Sequence, residues 1–250
     1  MAETAATASC NLPHHAALRP MTVSRPPFGL APALLAGSVG GLAHVGLLAL
    51  GGAAGGDVRP WGLAAIAGLA AAIEAGCAAG IQADHRPLPA SHDRVYGALS
   101  AAGALLFLLL TAGPLADWPR FSTRLTLGPG WIGLALALSL VGIVLRALAI
   151  RRLGARFSSG NVVDGRAGLE TAGVYRLLAH PSEAGLLLLA AGAALLSASP
   201  WSLVVLGALY GSALARIGLE EATLRDRHGC IYKMYRADRF DPFPSWVRDR

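Results

Sequence analysis

Six apolar stretches alternate with polar segments along the chain. Four of them are about as long as a helix needs to be to cross the hydrocarbon core of a bilayer. The two shorter stretches are separated by Ser-Ala-Ser-Pro, which is typical of a turn, and together they predict a helical hairpin. The six stretches cover residues 28–50, 61–81, 95–115, 131–150, 183–198 and 201–217. Only helices satisfy their own backbone groups within one segment in lipid. The pattern therefore predicts an all-α, polytopic transmembrane bundle of about six spans, including a C-terminal helical hairpin.

The amino-acid composition also favours a membrane protein. Hydrophobic residues make up 54% of the chain and charged residues only 14%, whereas average soluble domains carry about 25% charged residues. This leaves too few charged side chains to coat a water-soluble globule of 250 residues. The net charge of +6 comes from basic residues between the apolar stretches. Membrane topology explains this distribution better than nucleic-acid binding does.

The distribution of basic residues predicts the orientation in the membrane. Arg59, Arg120 and Arg124 are the only basic residues in the segments on one side, and the other side holds the rest of the 21. Because basic residues concentrate on the cytoplasmic side, we expect both termini and the polar loop 151–181 to be cytoplasmic. Residues 1–27 lack the apolar core of a secretory signal, and we expect a disordered cytoplasmic tail there. Residues 28–130 then form the N-terminal transmembrane helices.

The segment after the polar loop carries the first chemical signals. Thr171 is placed to cap a short helix that includes Tyr175. His180 precedes Pro181, a residue that suits the first position of the next helix. Glu183 falls in the first turn of that helix, where the helix dipole favours an anion. A break of this kind at the membrane surface can present backbone donors to a ligand.

Two neighbouring carboxylates follow the last apolar stretch. Glu220 and Glu221 suit a cationic or hydroxyl-bearing ligand, and the alternative interpretation is a solvated helix end. Tyr232 and Tyr235 are three residues apart and share one helical face. Aromatic faces near carboxylates attract a sulfonium cation, and the alternative is a pair of aromatic residues at the membrane interface.

Together these motifs resemble the superfamily of isoprenylcysteine carboxyl methyltransferases and phospholipid methyltransferases. The similarity covers about residues 140–245. It rests on Gly-Val-Tyr at 173–175, His-Pro-Ser at 180–182, Glu-Glu at 220–221 and Gly-x-x-Tyr-x-x-Tyr at 229–235. Members of this superfamily bind S-adenosylmethionine in a cytoplasmic pocket, and a lipophilic acceptor enters from the bilayer. The resemblance implies that residues 131–250 form a methyltransferase-like catalytic module that acts among membrane lipids.

The resemblance also implies roles for individual residues. The expected cofactor-binding residues are Tyr175, His180, Pro181, Gly185, Glu220, Glu221, Tyr232 and Tyr235. The expected catalytic residues are His180, Arg146 and Glu183, and no metal is required. The chain has Ala179 where the family usually has arginine before His-Pro, and Glu183 where it usually has tyrosine. We therefore expect Arg146 or Arg176 to replace the missing arginine as a partner for a carboxylate.

The resemblance implies direct displacement at the sulfonium methyl group, and it leaves the acceptor open. Prenylcysteine carboxylates, phenols, quinones, thiols and phospholipid amines all fit a lipophilic acceptor. The alternative function is that of a non-catalytic member of the family that binds cofactor or lipid without turnover. The sequence pattern does not indicate whether the protein is a monomer or an oligomer.

Glu74 lies inside the second apolar stretch, and the resemblance does not account for it. An ionisable side chain within a bilayer is costly and therefore points to a function. The alternative is a protonated or hydrogen-bonded packing residue. His44, in the first stretch, is a weaker candidate of the same kind.

Overall fold

The computed structural model describes residues 29–50, 56–79, 90–121, 128–153 and 169–244. Its helices are α1 Leu30–Leu50, α2 Arg59–Ala79, α3 Ala90–Ala116, α4 Trp118–Phe121, α5 Pro129–Leu153, α6 Pro181–Ser197 and α7 Pro200–Ala237, with a 3-10 turn at Gly173–Arg176. Within the described ranges, α1, α2, α3, α5 and α7 are long and apolar enough to cross a membrane, and α6 is a shorter apolar helix. The predicted all-α polytopic bundle is confirmed. The predicted tail 1–27 and most of the loop 151–181 lie outside the described residues.

The last helix is much longer than its apolar stretch. The apolar stretch ends at residue 217, but α7 continues to Ala237. The added segment is rich in Glu, Leu and Arg, which form helices well in water or lipid, so the loss of hydropathy marks the end of the span and not of the helix. Gly229 alone departs from helical geometry, at φ 50° and ψ −121°, a conformation that glycine adopts without a steric penalty.

The short helix before α6 also differs from the prediction. It is a single 3-10 turn that begins after Ala172, and no side chain caps it. The predicted cap at Thr171 is therefore wrong. The next boundary agrees with the sequence pattern, because His180 is the N-cap of α6 and Pro181 occupies its first position.

Helices α5 and α6 lie in backbone contact through glycines. A Cβ atom added at Gly142 would lie 2.6 Å from the carbonyl oxygen of Gly185, and one added at Gly185 would lie 2.7 Å from the backbone nitrogen of Arg146. A Cβ atom added at Gly192 would lie 2.5 Å from the carbonyl oxygen of Ala135. This is the close approach that small residues permit between membrane helices. It fixes the start of α6 against α5.

The chain after α7 returns to the start of α6. The backbone nitrogen of Phe240 donates to the carbonyl oxygen of Leu177 at 3.0 Å, and that of Ala179 donates to the carbonyl oxygen of Phe240 at 3.2 Å. This short parallel bridge brings Phe243 against His180, with 6.2 Å between the ring centroids. The C-terminal segment after α7 therefore covers one side of the residues that precede α6.

Candidate functional site

A polar cluster lies where α6 begins, and His180 is its centre. The imidazole Nε2 lies 2.8 Å from Glu221 Oε1, and Nδ1 lies 3.4 Å from Glu220 Oε2. The ring is buried, with 2% of the side chain exposed. One histidine therefore bridges the two neighbouring carboxylates of α7. The structure thus brings together three of the residues that the sequence predicts for the site.

The charge state of His180 follows from these contacts. Burial alone would lower the pKa of His180, but the hydrogen bonds to Glu220 and Glu221 and the charges of both carboxylates raise it to about 9. The imidazole is therefore protonated at neutral pH, and both ring nitrogens donate. An imidazolium between two carboxylates leaves the three groups with one net negative charge.

The two carboxylates have different environments. Glu221 is 2% exposed; its Oε1 accepts a hydrogen bond from the Tyr232 hydroxyl at 2.7 Å and lies 2.8 Å from Nε of Arg236. The Glu220 side chain is 34% exposed, and its contact with His180 is the one ion pair it makes among the described residues. Glu221 therefore holds the cluster together, whereas Glu220 can accept hydrogen bonds from a ligand.

The three tyrosines form a buried layer behind Glu221. The ring of Tyr232 stacks on that of Tyr235 with centroids 6.0 Å apart, and the Tyr235 hydroxyl donates to the carbonyl oxygen of Tyr175 at 3.0 Å. None of the three is more than 8% exposed. The rings support Glu221 and the turn before α6. The sequence-based expectation that they contact a cofactor directly stays a prediction.

Two ion pairs form a second polar group near the start of α6. Arg146 Nε pairs with Glu74, and its Nη1 donates to the Ser182 hydroxyl at 3.0 Å. Arg216 Nη2 lies 2.5 Å from Glu183 Oε2. Arg146 and Glu183, both predicted from the sequence, therefore lie near each other but bind different partners. Gly185, by contrast, faces α5.

Both ion pairs line a cavity of about 430 Å³ between α1–α3 and α5–α7. Most of its wall is apolar or made of small residues. One face of α3 contributes residues along four turns, including Tyr96, Ser100, Gly103, Phe107 and Thr111. His44 Nε2 lies 3.0 Å from the Thr111 hydroxyl. These two residues form a further polar pair on the cavity wall, away from the two ion pairs.

Arg216 and Tyr96 are two polar residues of this cavity that the motifs do not indicate. Arg216 lies inside the last apolar stretch, and this position is a signal that it pairs with a carboxylate. Tyr96 lines the cavity together with both ion pairs. No short motif marks Tyr96 in the sequence.

Comparison with known proteins identifies the C-terminal half of the bundle. Residues 131–229 match the family described as phospholipid methyltransferase. No curated protein matches the chain. The matched segment contains both ion-pairing arginines of the cavity, His180 and both carboxylates of the cluster, whereas Glu74 and Tyr96 lie outside it. Residues 131–229 thus form a phospholipid methyltransferase domain, of the superfamily of membrane methyltransferases that also includes the isoprenylcysteine carboxyl methyltransferases.

Proposed function

We propose that the protein transfers a methyl group from S-adenosylmethionine to a lipophilic acceptor, at the cytoplasmic side of the membrane. The observation that carries this proposal is the position of Glu220. Its carboxylate is partly exposed and held by a protonated His180, next to a cavity that lies among the membrane helices. A charged cofactor and an apolar acceptor thus have adjoining sites.

The His180 cluster has the chemistry that the cofactor requires. S-adenosylmethionine carries ribose hydroxyls, an ammonium group and a sulfonium group, all of which a carboxylate such as Glu220 can bind. Its carboxylate needs donors, and the first turn of α6 leaves the backbone N–H groups of Ser182 and Glu183 without intrahelical partners. Arg146 is engaged by Glu74 and Ser182. The start of α6 and the exposed Arg176 are therefore the better candidates for that carboxylate.

The chain itself supplies alignment and exclusion of water. The bound cofactor carries a methyl group on a good leaving group, so the protein has little covalent chemistry to perform. Glu221, fixed by Tyr232 and Arg236, orients His180, and His180 orients Glu220. Pro181 fixes the backbone between His180 and the donors of the first turn. Glu183, one turn later, belongs to the cavity wall.

Binding without turnover is the second candidate function. The observation that favours it is Ala179, which stands where the family usually has an arginine. Ala179 is buried and hydrogen-bonded to Phe240 in the tail. Arg236, which contacts Glu221 in the cluster, is itself engaged by Glu221 and Asp241.

Calorimetric binding of S-adenosylhomocysteine to the detergent-purified protein tests the cofactor site. We expect Glu220→Gln to weaken binding by about tenfold to a hundredfold, because hydrogen bonds to a charged group contribute about 1.5–3 kcal/mol. Asp238→Asn is the matched control, since this carboxylate lies at the C-terminal cap of α7, away from His180, and is 63% exposed. The proposed site would be contradicted if Glu220→Gln bound S-adenosylhomocysteine as tightly as the wild type does, or if the folded wild type did not bind it.

A further inference from the structure

Glu74 is the most accessible charged side chain in the cavity. Its side chain is 43% exposed although it lies within a membrane-spanning helix, whereas the side chains of Arg146, Glu183 and Arg216 are 14%, 10% and 6% exposed. Oε1 of Glu74 pairs with Arg146, and Oε2 has no hydrogen-bond partner among the described residues. Because Glu74 lines the cavity, this second carboxylate oxygen can accept a hydrogen bond from a ligand bound there.

The two arginines of the cavity already form ion pairs. Arg146 pairs with Glu74 and Ser182, and Arg216 pairs with Glu183. Arg216 Nε has no hydrogen-bond partner in the part of the chain that the structure describes, but the side chain is almost entirely buried. The two pairs cancel in charge, so an acidic acceptor would meet the Glu74 carboxylate without a free cation to balance its own charge. Burying an unbalanced charge is costly.

We propose that Glu74 binds the methyl-accepting group of the acceptor, and that this group carries a proton, as a hydroxyl, thiol or amine does, and is not a carboxylate. This inference rests on the proposed function and names the class of its acceptor. Glu74 lies outside the segment that matches the family, so it is a residue through which this chain selects its acceptor.

The same carboxylate can complete the transfer. The heteroatom of the acceptor forms a bond to the methyl carbon with its lone pair, and the carbon–sulfur bond breaks with its electron pair going to sulfur. The proton of the acceptor passes to Oε2 of Glu74. A carboxylate acceptor has no such proton to lose, and would not need this base.

The shape of the cavity favours a single extended chain. Its wall follows α3 from Tyr96 to Thr111, and 15 residues of helix span about 22 Å. A volume of about 430 Å³ over that length leaves a narrow site. We therefore expect one chain or a fused-ring body with a proton-bearing head near Glu74, and not two acyl chains side by side.

Equilibrium binding of two matched probes tests the inference without requiring turnover. The probes are tritiated 4-dodecylphenol and tritiated dodecanoate, which are neutral and charged respectively at about pH 7. The protein is held in phosphatidylcholine nanodiscs, and specific binding is the part that Ala104→Trp abolishes, since Ala104 lines the cavity. We expect the wild type to bind the phenol at least about tenfold more tightly than dodecanoate.

Glu74→Gln is expected to reverse this preference. It replaces the carboxylate by a neutral amide, which is a weaker acceptor for the phenol hydroxyl, and it leaves the charge of Arg146 free to bind a carboxylate. Glu74→Asp keeps the charge and should keep the preference, which separates loss of the carboxylate from loss of the fold. Equal or tighter binding of dodecanoate to the wild type, no specific binding of the phenol, or an unchanged preference in Glu74→Gln would overturn the inference. Binding of S-adenosylhomocysteine by the same preparations reports separately on the proposed function.

Discussion

Replacing Glu221 by alanine is expected to destabilise the protein by about 3–5 kcal/mol, the cost of removing one partner from a buried ion pair. Glu221 is 2% exposed and contacts His180, Tyr232 and Arg236 through one carboxylate oxygen. Without it, the imidazolium and the guanidinium lose a shared counterion, and a buried hydroxyl loses its acceptor. Thermal unfolding of the detergent-purified protein measures the effect as a large fall in Tm.

Glu220→Ala is the matched control, because it removes the adjacent carboxylate from the same helix. The Glu220 side chain is 34% exposed and lies 3.4 Å from His180, so its pairing is screened by solvent and should contribute no more than about 1 kcal/mol. We expect the Tm of Glu220→Ala to stay close to that of the wild type. Equal losses in the two variants would show that Glu221 does not hold the cluster together.

Replacing Gly142 by alanine is expected to destabilise the α5–α6 contact by about 3 kcal/mol, at the upper end of the usual cost of overpacking. The added Cβ atom would lie 2.6 Å from the carbonyl oxygen of Gly185 and 2.9 Å from the Cα atom of Leu189. Both are backbone atoms, so no side-chain rotation relieves the clash. The helices must separate, which would also move Arg146 away from Ser182 and weaken the cavity wall.

Gly133→Ala provides the comparison within the same helix. A Cβ atom at Gly133 meets no atom within 4 Å, and alanine favours a helix over glycine by about 1 kcal/mol in water. We expect an unchanged or slightly higher Tm for Gly133→Ala and a clearly lower Tm for Gly142→Ala. If Gly142→Ala unfolds at the wild-type temperature, α5 and α6 do not pack through their backbones.

The six apolar helices could be predicted because each apolar stretch is a local property of the sequence, whereas the short α4 lies in none of these stretches. The length and composition of a stretch determine whether it spans a bilayer, whatever its neighbours are. The end of α7 could not be predicted in this way, since polar residues such as those after Ile217 continue a helix without changing its backbone. A short helix at Tyr175 could be predicted, but its 3-10 form and missing cap could not, because its position is held by contacts with α7 and with the segment after it, which are distant in sequence.

The candidate site could be predicted only in part. Short motifs identified His180 and the two carboxylates, but the sequence did not distinguish the buried Glu221 from the accessible Glu220, because burial depends on packing against Tyr232 and Arg236. The pairings of Glu74 with Arg146 and of Glu183 with Arg216 join different helices, so no local spacing indicates them. Gly185 is similar: a glycine that faces another helix and a glycine that lines a pocket look the same in sequence.

Transfer of a labelled methyl group is the most direct test of the proposed function. The detergent-purified protein is incubated with S-adenosylmethionine tritiated in its methyl group and with a neutral lipophilic extract, and the label in the organic phase is counted. The proposal predicts label in the organic phase with the wild type and little with Glu220→Gln, whose cofactor site is impaired. If the folded wild type binds S-adenosylhomocysteine but transfers no label, the protein binds its cofactor without turnover and the proposed methyl transfer is contradicted.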